Sequence, residues 1–210
     1  MVAANLQFPA ELVEAMLRAG CRRLVNAGTA WQHFGDRPYS PVCFHAATKQ
    51  AFEALLAYFV EVRGLRTITL KLHDTYGPRD ERKKLFFLLD RAAKEGKPLE
   101  MSPGEQTLDL TYISDVVEAF RLAGRRLLED KNESPGESYV VQSGRRTKLR
   151  DAVALYSRVT GKAVPIAWGG RPYRAREVMT PWTKGLTLPG WTPKVDLEEG
   201  IKRMERGEIS

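Results

Sequence analysis

The sequence predicts an α/β fold. Strand-like and helix-like runs alternate along it. Its 210 residues are 43% hydrophobic and 28% charged, as expected of a single soluble globular chain that buries a proper core. Internal repeats, low-complexity tracts and obvious linkers are absent from it.

The first strand is expected in "CRRLVNAGT", Cys21 to Thr29, a short apolar run that ends in glycine and a polar residue. From His45 to Val62 the spacing of Phe52, Leu55, Leu56, Phe59 and Val62 puts one apolar stripe on a helix. "RTITLKL", Arg66 to Leu72, is the β-branched strand that completes a β-α-β unit. Asp80 is expected to cap a helix carrying Leu85, Leu88, Leu89 and Ala92, which Gly96 stops in the left-handed conformation that costs glycine little. Thr147 and Gly161 bracket a further helix, with Leu149, Val153, Tyr156 and Val159 turned inward. "ESYVVQ" and "AVPIAW" are small strands of a subsidiary lobe, and Asp196 with Glu199 three residues later predicts a capping box at the start of a last helix.

Several function classes are disfavoured. No apolar run approaches the roughly 20 residues that span a bilayer, and the N-terminal residues lack the basic-then-apolar pattern of a secretory signal, so a cytoplasmic protein is expected. Cys21 and Cys43 have no metal-ligand or CxxC spacing; they are expected to be buried free thiols, with no metal site. The net charge of +7 suits phosphorylated small molecules as well as nucleic acid, but its short basic clusters do not alternate with aromatics as a single-strand stacking platform does. Nucleic acid is therefore not expected as the partner.

Five ordered blocks carry a resemblance. They are "GTAWQ" from Gly28, "HAATKQAFE" from His45, "LKLHDTYGPRDERKKL" from Leu70, "SPGEQTLDLTYISDVVEAF" from Ser102 and "GWTPKVDLEEGI" from Gly190. In this order they resemble the extended short-chain dehydrogenase/reductases, the NAD-dependent epimerase/dehydratase group, and within it the CDP-abequose synthase-like nucleotide-sugar reductases. The resemblance runs from Asn5 to about Met204 and implies an incomplete doubly wound, Rossmann-like parallel sheet with a small C-terminal substrate lobe. Residues 1–96 then form the later part of the nucleotide-binding domain, to which some later segments return, and 97–210 form mainly the substrate lobe. "NLQFPAELVEAMLRAG" resembles a helix from the middle of the cofactor domain, so the first strands and the glycine-rich phosphate loop are expected to be missing.

What the resemblance implies for the site follows residue by residue. Lys49 keeps the lysine of the family's YxxxK pair, which holds the nicotinamide ribose and tunes the tyrosine; Thr29 matches the Ser/Thr that hydrogen-bonds the reacting oxygen. His45 stands in the tyrosine slot, where a neighbouring ammonium favours the neutral imidazole, able to donate one hydrogen bond or accept a proton. Asp74 falls beside the substrate, and Tyr76, Gly77 and Pro78 match the loop next to the nicotinamide. Arg82 and Arg174 are candidates for the substrate diphosphate, because a guanidinium fork fits phosphate oxygens in pairs. Asp109 and Asp115 are expected to orient backbone, and Trp31 stands where the family's dehydratases carry an acid. The implied cofactor is NAD or NADP, held weakly or not at all by this chain alone. The implied partners are a nucleotide-diphosphate sugar and a second copy of the chain, through helices Ala10 to Ala19 and His45 to Val62. A catalytically silent binding or dimerisation module is the alternative.

Overall fold

The computed structural model describes residues 1–130 and 134–209. In chain order the elements are α1 (Phe8–Arg18), β1 (Arg23–Thr29), α2 (Phe44–Arg63), β2 (Arg66–Leu72), β3 (Asp74–Tyr76) and α3 (Leu85–Glu95). Next come β4 (Leu99–Met101), β5 (Thr107–Tyr112), α4 (Ile113–Leu128), β6 (Gly136–Val141) and β7 (Arg146–Lys148). α5 (Leu149–Thr160), β8 (Ile166–Trp168) and α6 (Leu197–Arg206) follow. They divide into two compact units: residues 1–73, 117–141 and 182–191 in the first, and 74–116, 142–181 and 192–210 in the second. The chain thus first changes unit after His73.

The first unit is a parallel three-stranded sheet in the order β1-β2-β6. Arg23 to Thr29 pair one for one with Arg66 to Leu72, and Thr67 to Leu72 with Gly136 to Val141. The run "ESYVVQ", expected in the subsidiary lobe, thus supplies the third strand of this sheet. β2 lies between two neighbours and is buried from Thr67 through Lys71, so its threonines and a lysine sit where a half-exposed strand would show them to water. Asn26 answers part of that polarity by donating its amide to the Thr69 hydroxyl at 3.2 Å.

α1 and α2 close a core of Val13, Leu17, Phe52, Leu56, Phe59 and Leu65. Each of these large side chains contributes about 1.5–3 kcal/mol by leaving water. The stripe predicted on α2 is narrower than expected: Phe52, Leu56 and Phe59 are buried, but Leu55 and Val62 are 38% and 62% exposed. Cys21 and Cys43 are free, as expected, but exposed rather than buried.

The second unit holds a β3-β5-β7 sheet and a β4-β8 pair. Tyr76, Phe86, Leu89, Tyr112, Tyr156 and Ile201 form the heart of its core. Gly96 and Gly161 end α3 and α5 at φ 62° and 67°, the left-handed stop predicted for Gly96 and the helix end predicted at Gly161. The predicted starts differ. α3 begins after Lys84, because the Asp80 carboxylate takes the Arg82 guanidinium instead of a helix amide. α5 begins after Lys148, one residue past Thr147. α6 starts where expected, with Asp196 accepting the Glu199 amide at 2.8 Å.

Candidate active site

Three predicted residues, Thr29, His45 and Lys49, lie in the first unit. Thr29 is the last residue of β1 and caps the single turn Ala30 to Gln32. Its hydroxyl accepts the Trp31 amide at 3.3 Å, while its own amide donates to Gln32 Oε1 at 2.9 Å. The strand end is thereby held rigid at the point where the hydroxyl emerges.

α2 begins after Cys43, so His45 sits in its first turn, exposed. The Thr48 hydroxyl donates to the His45 carbonyl at 2.9 Å and accepts the Asn5 amide at 3.0 Å, which ties this helix start to the N-terminal segment. Lys49 is one turn further along the same face and half-buried. Burial pushes its ammonium below the usual lysine range, and the Glu53 carboxylate, another turn on, pushes back.

Sequence reasoning missed the buried polar group beneath this face. Glu53 accepts from Gln32 Nε2 at 2.9 Å and pairs with Lys71 Nζ at 3.3 Å. Gln32 also donates to Gln50 at 2.7 Å and is completely buried. Lys71 Nζ lies 2.8 Å from His33 Nε2, and His33 Nδ1 lies 3.1 Å from the Arg37 carbonyl. A carbonyl only accepts, so the ring proton sits on Nδ1, and Nε2 accepts from Lys71. Burial first and the Lys71 charge second push His33 below the usual histidine range. Trp182 stacks on the imidazole at 3.9 Å, closing the group. A charged residue inside the strand run "TITLKL" was the one signal of it in the sequence.

The other predicted residues lie in the second unit. Burial pushes the Asp74 carboxyl above the usual range; Lys84 and Arg174 oppose the shift, and Asp109 adds to it. Asp74 and Arg174 are thus within electrostatic reach of each other. Arg82 is exposed and held in a two-pronged pair by Asp80 at 2.6 and 2.7 Å. The Tyr76 side chain points into the core between Phe86 and Tyr112. Its hydroxyl is buried with no hydrogen-bond partner among the described residues. Gly77 follows because a Cβ there would meet Ile113 at 2.6 Å, and Pro78 is half-buried. Asp109 accepts the amides of Ser143 and Gly144, and Asp115 those of Lys194 and Val195, so both orient backbone. Among the described residues no His/Cys/Asp/Glu cluster fits a metal ion, and no helix is long and apolar enough to cross a membrane.

The model of the NAD dependent epimerase/dehydratase family matches residues 1–141, well over half of the sequence. The chain belongs to that family. This family member is 27% identical over 207 residues to CDP-abequose synthase of Salmonella typhimurium, a match that covers 96% of it and 68% of the relative. It is 26% identical over 182 residues to the Yersinia pseudotuberculosis enzyme of that name, a match that covers 86% of it and 62% of the relative. Against the crystal structure of UDP-glucuronic acid 4-epimerase from Bacillus cereus with UDP-glucuronic acid and NAD, the TM-score is 0.84 at 22% identity, over 98% of the family member and 68% of that structure. Against UDP-glucose 4-epimerase from Thermotoga maritima with UDP-glucose it is 0.82 at 22% identity, over 98% and 69%. The α/β expectation with a parallel, Rossmann-like sheet is met. The family member spans about two thirds of the length of the relatives it matches.

Proposed function

We propose that this chain acts as an NAD(P)-dependent epimerase/dehydratase-family oxidoreductase on a nucleotide sugar, with Thr29, His45 and Lys49 at the reacting sugar carbon and its oxygen. The observation that carries the reading is the tie between Thr29 and the Lys49 face of α2 through Gln32 and Glu53. In this reading the Thr29 hydroxyl hydrogen-bonds the sugar oxygen, and the His45 imidazole, in the tyrosine slot, gives or takes its proton. Lys49 fits the ribose end of NAD or NADP, because a half-buried ammonium offers three donors in a poorly solvated wall. The nicotinamide, when bound, supplies or takes the hydride. Tyr76 acts only through its backbone and through Gly77 and Pro78, since its side chain is core. In the second unit, taken by itself, Asp74 is the proposed neighbour of the substrate and Arg174 a ligand for its diphosphate, with Arg82 available to it only after leaving Asp80. An exposed pair of that kind costs about 0–1 kcal/mol to open. The chain alone holds the dinucleotide weakly, because no glycine-rich strand-turn-helix is present in the sequence to take the pyrophosphate.

The test is turnover of CDP- and UDP-sugars with NAD or NADP, followed by the absorbance of reduced nicotinamide and by product chromatography. In a protein that also carries the family's glycine-rich N-terminal strands, Lys49→Met is expected to lower the rate by roughly a hundredfold or more and His45→Tyr to raise it, whereas His45→Tyr in this chain alone is expected to change little. Exposure of His45 favours a second reading, a silent nucleotide-sugar-binding module. Sugar binding without conversion, unmoved by either substitution, decides for the second reading; a folded protein that binds no nucleotide sugar refutes both.

We further propose that α1 and α2 form a homodimer surface. Phe8 and Leu12 on α1, and Leu55, Tyr58 and Val62 on α2, are large apolar side chains exposed by 38–62%. Light scattering is expected to give a dimer at micromolar concentration, and Leu55→Asp a monomer. A monomeric wild-type protein refutes it.

A further inference from the structure

We propose that Glu53 is the positioning residue of the candidate active site, setting the Lys49 ammonium from one turn away on α2 and the Thr29 strand end through Gln32. The inference rests on the reading above that Thr29 and Lys49 act together.

The geometry that carries it starts at Gly28. A Cβ there would meet Glu53 Oε1 at 2.8 Å and the Lys71 stem at 3.2 Å, so the bare glycine lets the carboxylate lie against β1 immediately before Thr29. Gln32 is fully buried, and both ends of its amide are used. Its nitrogen donates to Glu53 and Gln50, and its oxygen accepts from the Thr29 amide. A displaced Glu53 would therefore free Gln32 to rotate, and the Thr29 cap would lose its partner. Glycine and glutamine in "GTAWQ", and the glutamate four residues after Lys49, thus serve one arrangement.

Four further groups surround the Glu53 carboxylate. Lys71 on β2 supplies its counter-charge, and Gln32 its hydrogen bond. His33 is spent as the acceptor of Lys71 and lies below the usual histidine range, so it brings no competing positive charge at neutral pH. Lys49, on the carboxylate's own helix, is the remaining cation it acts on. A carboxylate held in place by Gln32 and Lys71 acts on Lys49 as a fixed field rather than a mobile counter-ion, and the field is stronger in a half-buried wall than in water.

The experiment is a side-chain NMR titration of Lys49 in the full chain, without substrate or cofactor. It needs no turnover, so a chain that converts no nucleotide sugar still tests the role of Glu53. In Glu53→Gln the Lys49 midpoint is expected to move to lower pH; in Glu53→Asp, which keeps the charge, it returns toward wild type. Should Glu53→Gln fail to fold because Lys71 loses its partner, the double variant Glu53→Gln/Lys71→Met removes both buried charges together and supports folding. Removing the Lys71 charge alone would move Lys49 upward, so a downward shift in the double variant belongs to Glu53. An unchanged or raised midpoint in the folded variant overturns the proposal.

Discussion

Lys71→Met is expected to lower the unfolding free energy by roughly 3–5 kcal/mol, because it leaves the Glu53 carboxylate buried without its counter-charge. The side chains of Lys71 and Glu53 are only 10% and 14% exposed, so water cannot replace the lost partner. His33 loses its donor in the same step, and its stacked neighbour Trp182 gives the fluorescence change by which urea denaturation is followed. Adding Glu53→Gln is expected to recover most of the loss, since no orphan charge then remains. A single-variant cost below about 1 kcal/mol would mean that the pair is hydrated and that the network holds little of the first unit together.

Gly200→Ala is expected to cost the second unit about 2–3 kcal/mol, even though alanine is the better helix former by about 1 kcal/mol. Gly200 lies inside α6, and a Cβ there would overlap the Tyr76 hydroxyl and come within 2.8 Å of its ring. Neither partner yields easily, because Tyr76 is wedged between Phe86 and Tyr112. Tyr76→Phe alone should be neutral or stabilising, as it removes a buried hydroxyl that has no hydrogen-bond partner among the described residues. The Gly200→Ala/Tyr76→Phe pair should recover only part of the loss, with the ring carbons still in the way. Thermal melts of the three variants check this; full stability in Gly200→Ala would show that α6 shifts at no cost.

How far the sequence could be read depended on where the deciding contacts lie. β1, β2, α2 and α5 were legible because alternation and helical spacing are local, and so were the glycine stops of α3 and α5. β3, β4, β7 and β8 are three residues long and exist only through their partners, so local pattern resolves none of their bounds. Asp80 failed as a cap because Arg82, two residues away, offers a stronger hydrogen bond than a helix amide. The face predicted inward at Leu55 and Val62 is apolar in sequence but uncovered in the described fold.

In the candidate site, Thr29 and Lys49 were placed by the ordered blocks rather than by chemistry, since neither residue type announces a role by itself. Glu53 was visible only as a glutamate one turn past a lysine. Its meaning depends on Lys71, which arrives from another strand, and on a glutamine that composition cannot tell from a surface residue. Buried charge is a tertiary fact, and the sequence offered no more than a lysine in an otherwise strand-like run.

The way the backbone weaves between the units bears on how the protein is made. Passing along the chain, the segments alternate 1–73, 74–116, 117–141, 142–181, 182–191 and 192–210, so neither unit is a continuous polypeptide. On the ribosome β1, α2 and β2 emerge before β6, so their sheet waits for Gly136, and the His33 stack waits for Trp182. Vectorial synthesis thus leaves one edge of β2 unpaired until β6 emerges, and such non-local pairing is a slow, aggregation-prone route. Chaperone demand during expression, rather than any single weak contact, is then expected to set the yield of native protein.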